Sequence, residues 1–267
     1  MTTNHDIAPD PAEPPRVVLI TGAASGIGRA TAQLYTERGY RVVALDVDEA
    51  GLDKLTADAA ADAFVVGDAA DPAANEAAVD LAVTRFGRLD AAVLNAGIGG
   101  AGPLESDGAL ERFDRVLAVN VRGVAAGIRA AVPALRAAGG GAIVATSSVS
   151  GLRGDPGTWA YNATKAAIIN LVRGLAVDYA AQDIRINAIA PGGTVTALTA
   201  GQVAHPVLGP EIAARIPAQR WADPREQAEA IWFLTSPAAS YITGVVLPVD
   251  GGLSANGGIL PPPPRRG

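Results

Sequence analysis

The chain contains no cysteine, which excludes disulfides, thiolate nucleophiles, iron–sulfur clusters and thiolate zinc sites. Histidine is nearly as scarce. His5 lies in a polar N-terminal stretch and His205 precedes Pro206, so neither a histidine-built metal centre nor a serine–histidine triad is expected. Positive charge is also short. Lys and Arg total 21 against 27 Asp and Glu, a net charge of −6, and no basic stripe is available to neutralise the phosphates of a nucleic acid. No uninterrupted apolar run approaches the ~20 residues needed to cross a bilayer. The opening "MTTNHDIAPDPAEPP" lacks the apolar segment of a secretory signal. A cytoplasmic protein without metal, membrane or nucleic-acid partners is the expectation.

What is present points to a generous core. Of the 267 residues, 49% are hydrophobic and 18% charged. Short aliphatic runs at 16–21, 41–46, 63–66, 90–95, 142–147, 184–190 and 245–250 are apolar on both faces, the pattern of parallel strands covered on each side by helices. Stretches 26–38, 72–86, 109–137, 159–181 and 224–235 read as the connecting helices. This alternation predicts an α/β, doubly wound domain over 16–253. Residues 1–15 and 254–267 read as tails, the second ending "PPPPRRG"; Arg265 and Arg266 are either a solvated end or a lure for an acidic partner. Residues 192–222 lack a clear element, and 194–219 is expected to act as a substrate lid.

"LITGAASGIGRA" joins the first strand to the first helix. Gly22, Gly26 and Gly28 permit a tight turn and close approach of backbone to a pyrophosphate, and the helix start offers free N–H groups. Ser25 and Ile27 belong to the same loop. Asp46 ends the second strand, where a carboxylate can accept from both ribose hydroxyls of an adenosine; alternatively Asp46 or Asp48 caps the next helix. Asp46 would repel a 2′-phosphate, and Val47, Ala23 and Ala24 supply no cation, which favours NAD over NADP. Asp68 and its neighbour Ala69 follow the third strand. Asp68 can meet the adenine amino group, and turn chemistry explains an Asp there as well.

"AYNATKAAIINL" (160–171) sets Tyr161 and Lys165 four residues apart. At about 100° per residue, Lys165, Ile168, Val172 and Leu175 fall on one stripe with the tyrosine. The pair therefore heads an apolar, core-facing stripe, where an ammonium needs a task, although this spacing also arises as an ordinary pair.

These segments together resemble the short-chain dehydrogenase/reductase superfamily, in its branch of single-domain chains. The matching motifs are "TGAASGIG" (21–28), Asp68, "LNAG" (94–97), Asn120 in "VNVRG", "TSS" (146–148), "YNATK" (161–165), "PGGTVT" (191–196) and "VDGG" (249–252). The resemblance implies a seven-stranded Rossmann fold, alcohol–ketone chemistry with a nicotinamide cofactor, and a homotetramer or homodimer. It places a catalytic tetrad on Asn120, Ser148, Tyr161 and Lys165, with Lys165 and the nicotinamide charge lowering the tyrosine's pKa and Asn120 holding a water. Ser147 is then structural. The cofactor contacts it implies are Asn95, Ala96, Gly97, Tyr161, Lys165, Pro191, Gly192, Thr194 and Thr196. Leu94, where the family usually has asparagine, and Gly193 depart from its pattern.

Substrate contacts are expected from Ser150, Leu152, Trp159, Gly193 and Leu198. Arg153 is either an anion contact or an exposed loop arginine; Trp159 either walls a pocket or packs on the lid. The aliphatic lid hints at an apolar, alicyclic or aromatic secondary alcohol. Two other functions use the same features: a redox-neutral isomerisation or elimination, and a non-catalytic NAD-binding protein.

Overall fold

The computed structural model describes residues 14–100, 102–257 and 261–263. The tail through residue 13, with His5, and Arg265 and Arg266 lie outside the described residues. Seven strands form one parallel sheet: β1 (Val17–Thr21), β2 (Arg41–Asp46), β3 (Ala63–Val66), β4 (Ala91–Leu94), β5 (Gly141–Thr146), β6 (Ile184–Pro191) and β7 (Val246–Val249), in the order β3-β2-β1-β4-β5-β6-β7. The chain leaves β1 in one direction and returns to its other side at β4, which makes the gap between their carboxyl ends the switch point of the sheet.

Strand alternation sorts the core into two layers. Val17 and Leu19 face one layer with Ala78, Ile128, Leu135, Ile168 and Val172; Val18 and Ile20 face the other with Leu34, Leu52, Leu55, Ile231 and Trp232. The first layer is covered by α3 (Pro72–Phe86), α5 (Gly123–Ala137) and α6 (Trp159–Tyr179), the second by α1 (Gly26–Glu37), α2 (Glu49–Ala57) and α9 (Pro224–Thr235). Helix starts follow their local chemistry. Asp71 before Pro72 caps α3, and Asp223, Pro224 and Glu226 form a capping box at α9.

Three elements differ from the sequence-based expectation. Helix α2 was absent from the expected set; the Asp48 side chain caps it by accepting from the Gly51 N–H at 3.1 Å. The stretch 109–137 is not one helix. It divides into α4 (Ala109–Leu117), a π turn at Ala118–Arg122, and α5. The span 192–222 contains α7 (Ala200–Ala204) and α8 (Leu208–Arg215), so it has more backbone order of its own than its glycine and proline content suggested. Residues 109–137 have the length and hydropathy of a membrane-crossing helix, yet half of the apolar window is buried within the fold.

Candidate active site

The glycine loop is shaped by what glycine lacks. Gly22 has φ +65°, and a Cβ there would lie 2.8 Å from Ala96 Cα; a Cβ on Gly28 would strike the Gly22 carbonyl. Gly26, also at positive φ, faces Thr196, whose side chain would sit 3.3 Å from an added Cβ. No side chain caps α1 at Ser25, so its first-turn N–H groups face the cradle, the arrangement that holds a phosphate. Ile27 packs against the second core layer, and Val47 is exposed.

Of the two candidate caps, Asp48 is the one that caps α2. Asp48 is the helix cap, while Asp46 accepts from the Ala24 N–H at 2.9 Å and the Asp48 N–H at 3.1 Å. The Asp46 carboxylate is thus tied to the glycine loop. Asp68 accepts from the Ala70 N–H at 2.9 Å and pairs with Arg115 of α4 at 2.9 Å. Burial raises its pKa, but the Ala70 N–H and Arg115 outweigh burial and hold the carboxyl below its ordinary value. Ala69 is buried behind it, its carbonyl accepting from Asn75 Nδ2 at 2.9 Å.

Asn95 joins three strand ends. Its Nδ2 donates to the Thr21 and Gly22 carbonyls, both at 3.3 Å, and its Oδ1 accepts from Thr146 Oγ1 at 3.2 Å. Thr21 Oγ1 in turn accepts from the Asn95 and Ala96 N–H groups. Leu94 is buried, with its side chain in the groove that Gly127 of α5 leaves open.

Lys165 is buried, as the stripe on α6 required. Its Nζ donates to the Thr146 carbonyl at 2.8 Å, and burial lowers its pKa to about 8. Nζ lies 5.5 Å from the centroid of the Tyr161 ring. Tyr161 is hydrogen-bonded to Ser148. Its hydroxyl titrates above the ordinary value: burial is the main cause, Ser148 opposes it, and the Asp155 charge adds to it. This differs from the expected lowering. The lysine is turned to the Thr146 carbonyl, and burial dominates the phenol's titration.

Ser148 Oγ accepts from the Ser150 N–H at 3.1 Å. Ser147 donates to the Lys165 carbonyl at 2.8 Å, anchoring β5 to α6. Asn120 is fully buried in the π turn. Its Nδ2 donates to the Ile98 carbonyl at 2.9 Å and to Thr164 Oγ1 at 3.0 Å, and its Oδ1 accepts from the Ile98 N–H at 2.8 Å. Both amide hydrogens are committed to protein partners, so only Oδ1 has spare capacity for the expected water. Gly97 lies where these groups converge: a Cβ there would be 3.1 Å from Lys165 Nζ and 3.4 Å from Asn120 Oδ1.

Pro191 ends β6, and a Cβ on Gly192 would come within 2.7 Å of Asp250. Thr194 is buried and turned inward, donating to the Gly192 carbonyl at 3.0 Å and accepting from Gln227 Nε2 at 3.2 Å. Its hydroxyl therefore faces the scaffold in this state. Thr196 faces Gly26 and is held through Thr199. Gly193 backs onto Trp221 and Ile216, and Leu198 is exposed opposite Gly99.

Of the expected substrate residues, Ser150 stands beside Ser148 and Leu152 is exposed on the same loop. Trp159 donates from Nε1 to the Gly102 carbonyl at 2.9 Å and packs against Phe113, which joins α6 to the loop before α4. Arg153 is paired with Asp155 at 3.4 Å. Asp155 was missed in the sequence. Its carboxylate accepts from Ser150 Oγ at 2.6 Å and its charge acts on Tyr161. Its place between Ser148 and Tyr161 was the available signal. The described residues hold no cluster fit for a metal.

A sequence profile of the family described as Enoyl-(Acyl carrier protein) reductase matches residues 22–254. Cis-4-hydroxycyclohexanecarboxylate dehydrogenase of Sinomonas cyclohexanicum is 46% identical over 248 residues, covering 90% of this chain and 97% of the relative. The protein belongs to the short-chain dehydrogenase/reductase superfamily. Levodione reductase of Leifsonia aquatica is similar to this dehydrogenase/reductase at 40% identity, over 90% of this chain and 94% of the relative. Among solved structures, 3-ketoacyl-(acyl-carrier-protein) reductase from Brucella melitensis, complexed with NADH, has a TM-score of 0.83 at 36% identity, covering 90% and 98% of the two chains. The Rossmann fold expected of this superfamily member is the one observed.

Proposed function

We propose that the protein is an NAD-dependent oxidoreductase that interconverts an apolar, alicyclic or aromatic secondary alcohol and its ketone. The observation that carries this reading is the convergence of Lys165, Asn120 and Gly97 beside a half-buried Tyr161 bonded to Ser148. Relatives named for cyclic alcohols and ketones support the alcohol–ketone class. The cradle of Gly22, Gly26 and Gly28 fits a dinucleotide, because each position is closed to a side chain. Asp46 and Val47 would hold the adenosine ribose, Asp68 the adenine, and Asn95, Ala96, Gly97, Thr194 and Thr196 the nicotinamide half. Bound nicotinamide supplies or accepts the hydride.

The chain's own residues manage the proton. Tyr161 takes it from the alcohol at the phenol oxygen, or returns it in the reverse direction. The Ser150 N–H fills an acceptor site on Ser148, which leaves the Ser148 hydrogen to donate to the substrate oxygen. Lys165, once its ammonium turns toward the phenol, stabilises the phenolate. Asn120 fixes the loop at Ile98 that closes this end of the cleft. Residues 194–219 act as the lid, and order further when both ligands are bound.

Purified protein mixed with NAD and a panel of cyclic and aromatic secondary alcohols should form reduced nicotinamide, followed by its absorbance. Dinucleotide binding without turnover on any alcohol or ketone would favour the binding-protein reading; conversion without redox change would favour isomerisation. A homotetramer or homodimer built on α5 and α6 is the proposed assembly. Light scattering at micromolar concentration that gives the 26.9 kDa monomer would oppose it.

A further inference from the structure

The segment after β3 is held by one helical assembly at three consecutive residues. Arg115 of α4 pairs with Asp68, Arg122 in the π turn donates to the Ala70 carbonyl at 3.3 Å, and Gly123 at the start of α5 lets that helix pack on the Ala69 carbonyl. A Cβ on Gly123 would lie 2.9 Å from that carbonyl oxygen. Between Arg115 and Gly123 the π turn carries Asn120 to the other end of the cleft. Asp68 Oδ1 is taken by the Ala70 N–H and Oδ2 by Arg115. Each oxygen keeps a further acceptor site, and the two contacts together leave the carboxylate one orientation.

We infer that Arg115 is a positioning residue for the cofactor: it fixes the Asp68 carboxylate so that its remaining acceptor sites meet the exocyclic amino group of adenine. The inference rests on the proposed role of Asp68 in the dinucleotide site. An exposed ion pair by itself contributes little to stability, and Arg115 is more than half exposed. Its effect is therefore directional. Without the guanidinium the carboxylate rotates about its own side-chain bonds, and the hydrogen bond to the base is formed only part of the time. The adenine amino group is a donor, so a base carrying a carbonyl at that position would face the carboxylate as acceptor against acceptor.

The test uses two reduced dinucleotides, NADH and its deamino analogue with hypoxanthine in place of adenine, titrated by nicotinamide fluorescence. The wild-type protein should bind NADH more tightly by on the order of tenfold, the scale of one hydrogen bond to a charged group. Arg115→Met should weaken NADH by several-fold and leave the analogue almost unchanged, so the preference narrows. Arg115→Lys, which keeps charge without the planar fork, should restore part of it. Equal weakening of both dinucleotides by Arg115→Met, or no weakening of either, would overturn the inference. Asp68→Ala separates the two layers of the argument. If it abolishes the preference while Arg115→Met does not, Asp68 reads the base and Arg115 has no part in it. If Asp68→Ala leaves the preference intact, the assignment of Asp68 to adenine fails, and the role of Arg115 fails with it.

Discussion

Lys165 Nζ stands 5.5 Å from the centre of the Tyr161 ring while donating to the Thr146 carbonyl at 2.8 Å. The ammonium thus sits beside the phenol on a backbone acceptor of β5. Both groups carry the cost of burial, since Tyr161 titrates above and Lys165 below the ordinary value. Burial disfavours the phenolate of one and the ammonium of the other, and each charged form would stabilise the other.

Tyr161→Phe removes the proton carrier and keeps the ring. It should fold as the parent, bind NADH with similar affinity, and lose at least about 10³-fold in turnover. A well-folded variant with normal turnover on the preferred alcohol would remove Tyr161 from the mechanism.

Lys165 also makes stability depend on pH. Because burial lowers its pKa from 10.5 to about 8, the unfolded chain keeps a proton that the folded chain gives up inside that window. Stability conferred at this position therefore rises with pH from about 8 to 10.5 and is lowest below it. Urea melts of the parent and Lys165→Met should show their stability difference moving in the parent's favour by up to about 3 kcal/mol across the window. A difference that stays flat would show that Lys165 titrates normally. The variant should also be inactive.

Under the proposed function, Asp46 is the residue expected to set the choice of dinucleotide. A fixed carboxylate, tied to Ala24 and Asp48, repels a 2′-phosphate, and kcat/KM should favour NAD over NADP by tens-fold or more, on the order of 2 kcal/mol or above. Asp46→Ser should narrow that ratio at least about tenfold and lower the NAD efficiency, because the Ala24 N–H loses its acceptor. Equal efficiencies in the parent enzyme would contradict this account.

Gly127 and Leu94 share one space. A Cβ at Gly127 would sit 2.5 Å from Leu94 Cδ2, so Gly127→Ala should cost about 1–3 kcal/mol by overpacking. Leu94→Ala in the same chain should recover part of that cost. Strictly additive effects in the double-mutant cycle would show that the two side chains do not compete.

Much of this architecture was legible because its signals are local. Strands apolar on both faces, the glycine loop and the α6 stripe each state their environment within a dozen residues. Which of Asp46 and Asp48 caps α2 was not legible, since both sit where a cap is reasonable and only the three-dimensional path of the Ala24 N–H, which takes the Asp46 carboxylate, separates them. The π turn escaped as well. Residues 109–137 are all compatible with a helix, and the break depends on packing against Ala69 and Ile98, which are remote in sequence. Asp155 has meaning only once Ser150 is seen to reach it. Thr194 matches the expected motif by type, yet Gln227, 33 residues away, turns its hydroxyl inward.

Thr194 and Ala222 bridge side by side, with the Val195 N–H donating to the Ala222 carbonyl at 2.9 Å and the Ala222 N–H to the Gly193 carbonyl at 2.8 Å. Residues between them also rest on the body: Thr196 faces Gly26, the Ala218 N–H donates to the Gly251 carbonyl at 3.0 Å, and Pro217 lies against Gly252. Doubling the length of such an excursion costs only about 0.6 kcal/mol in closure entropy, and the tetrad sits outside it. The stretch 200–215, between those contacts, is therefore where length and sequence can vary, while Thr196 and residues 216–222 keep the segment seated on the body.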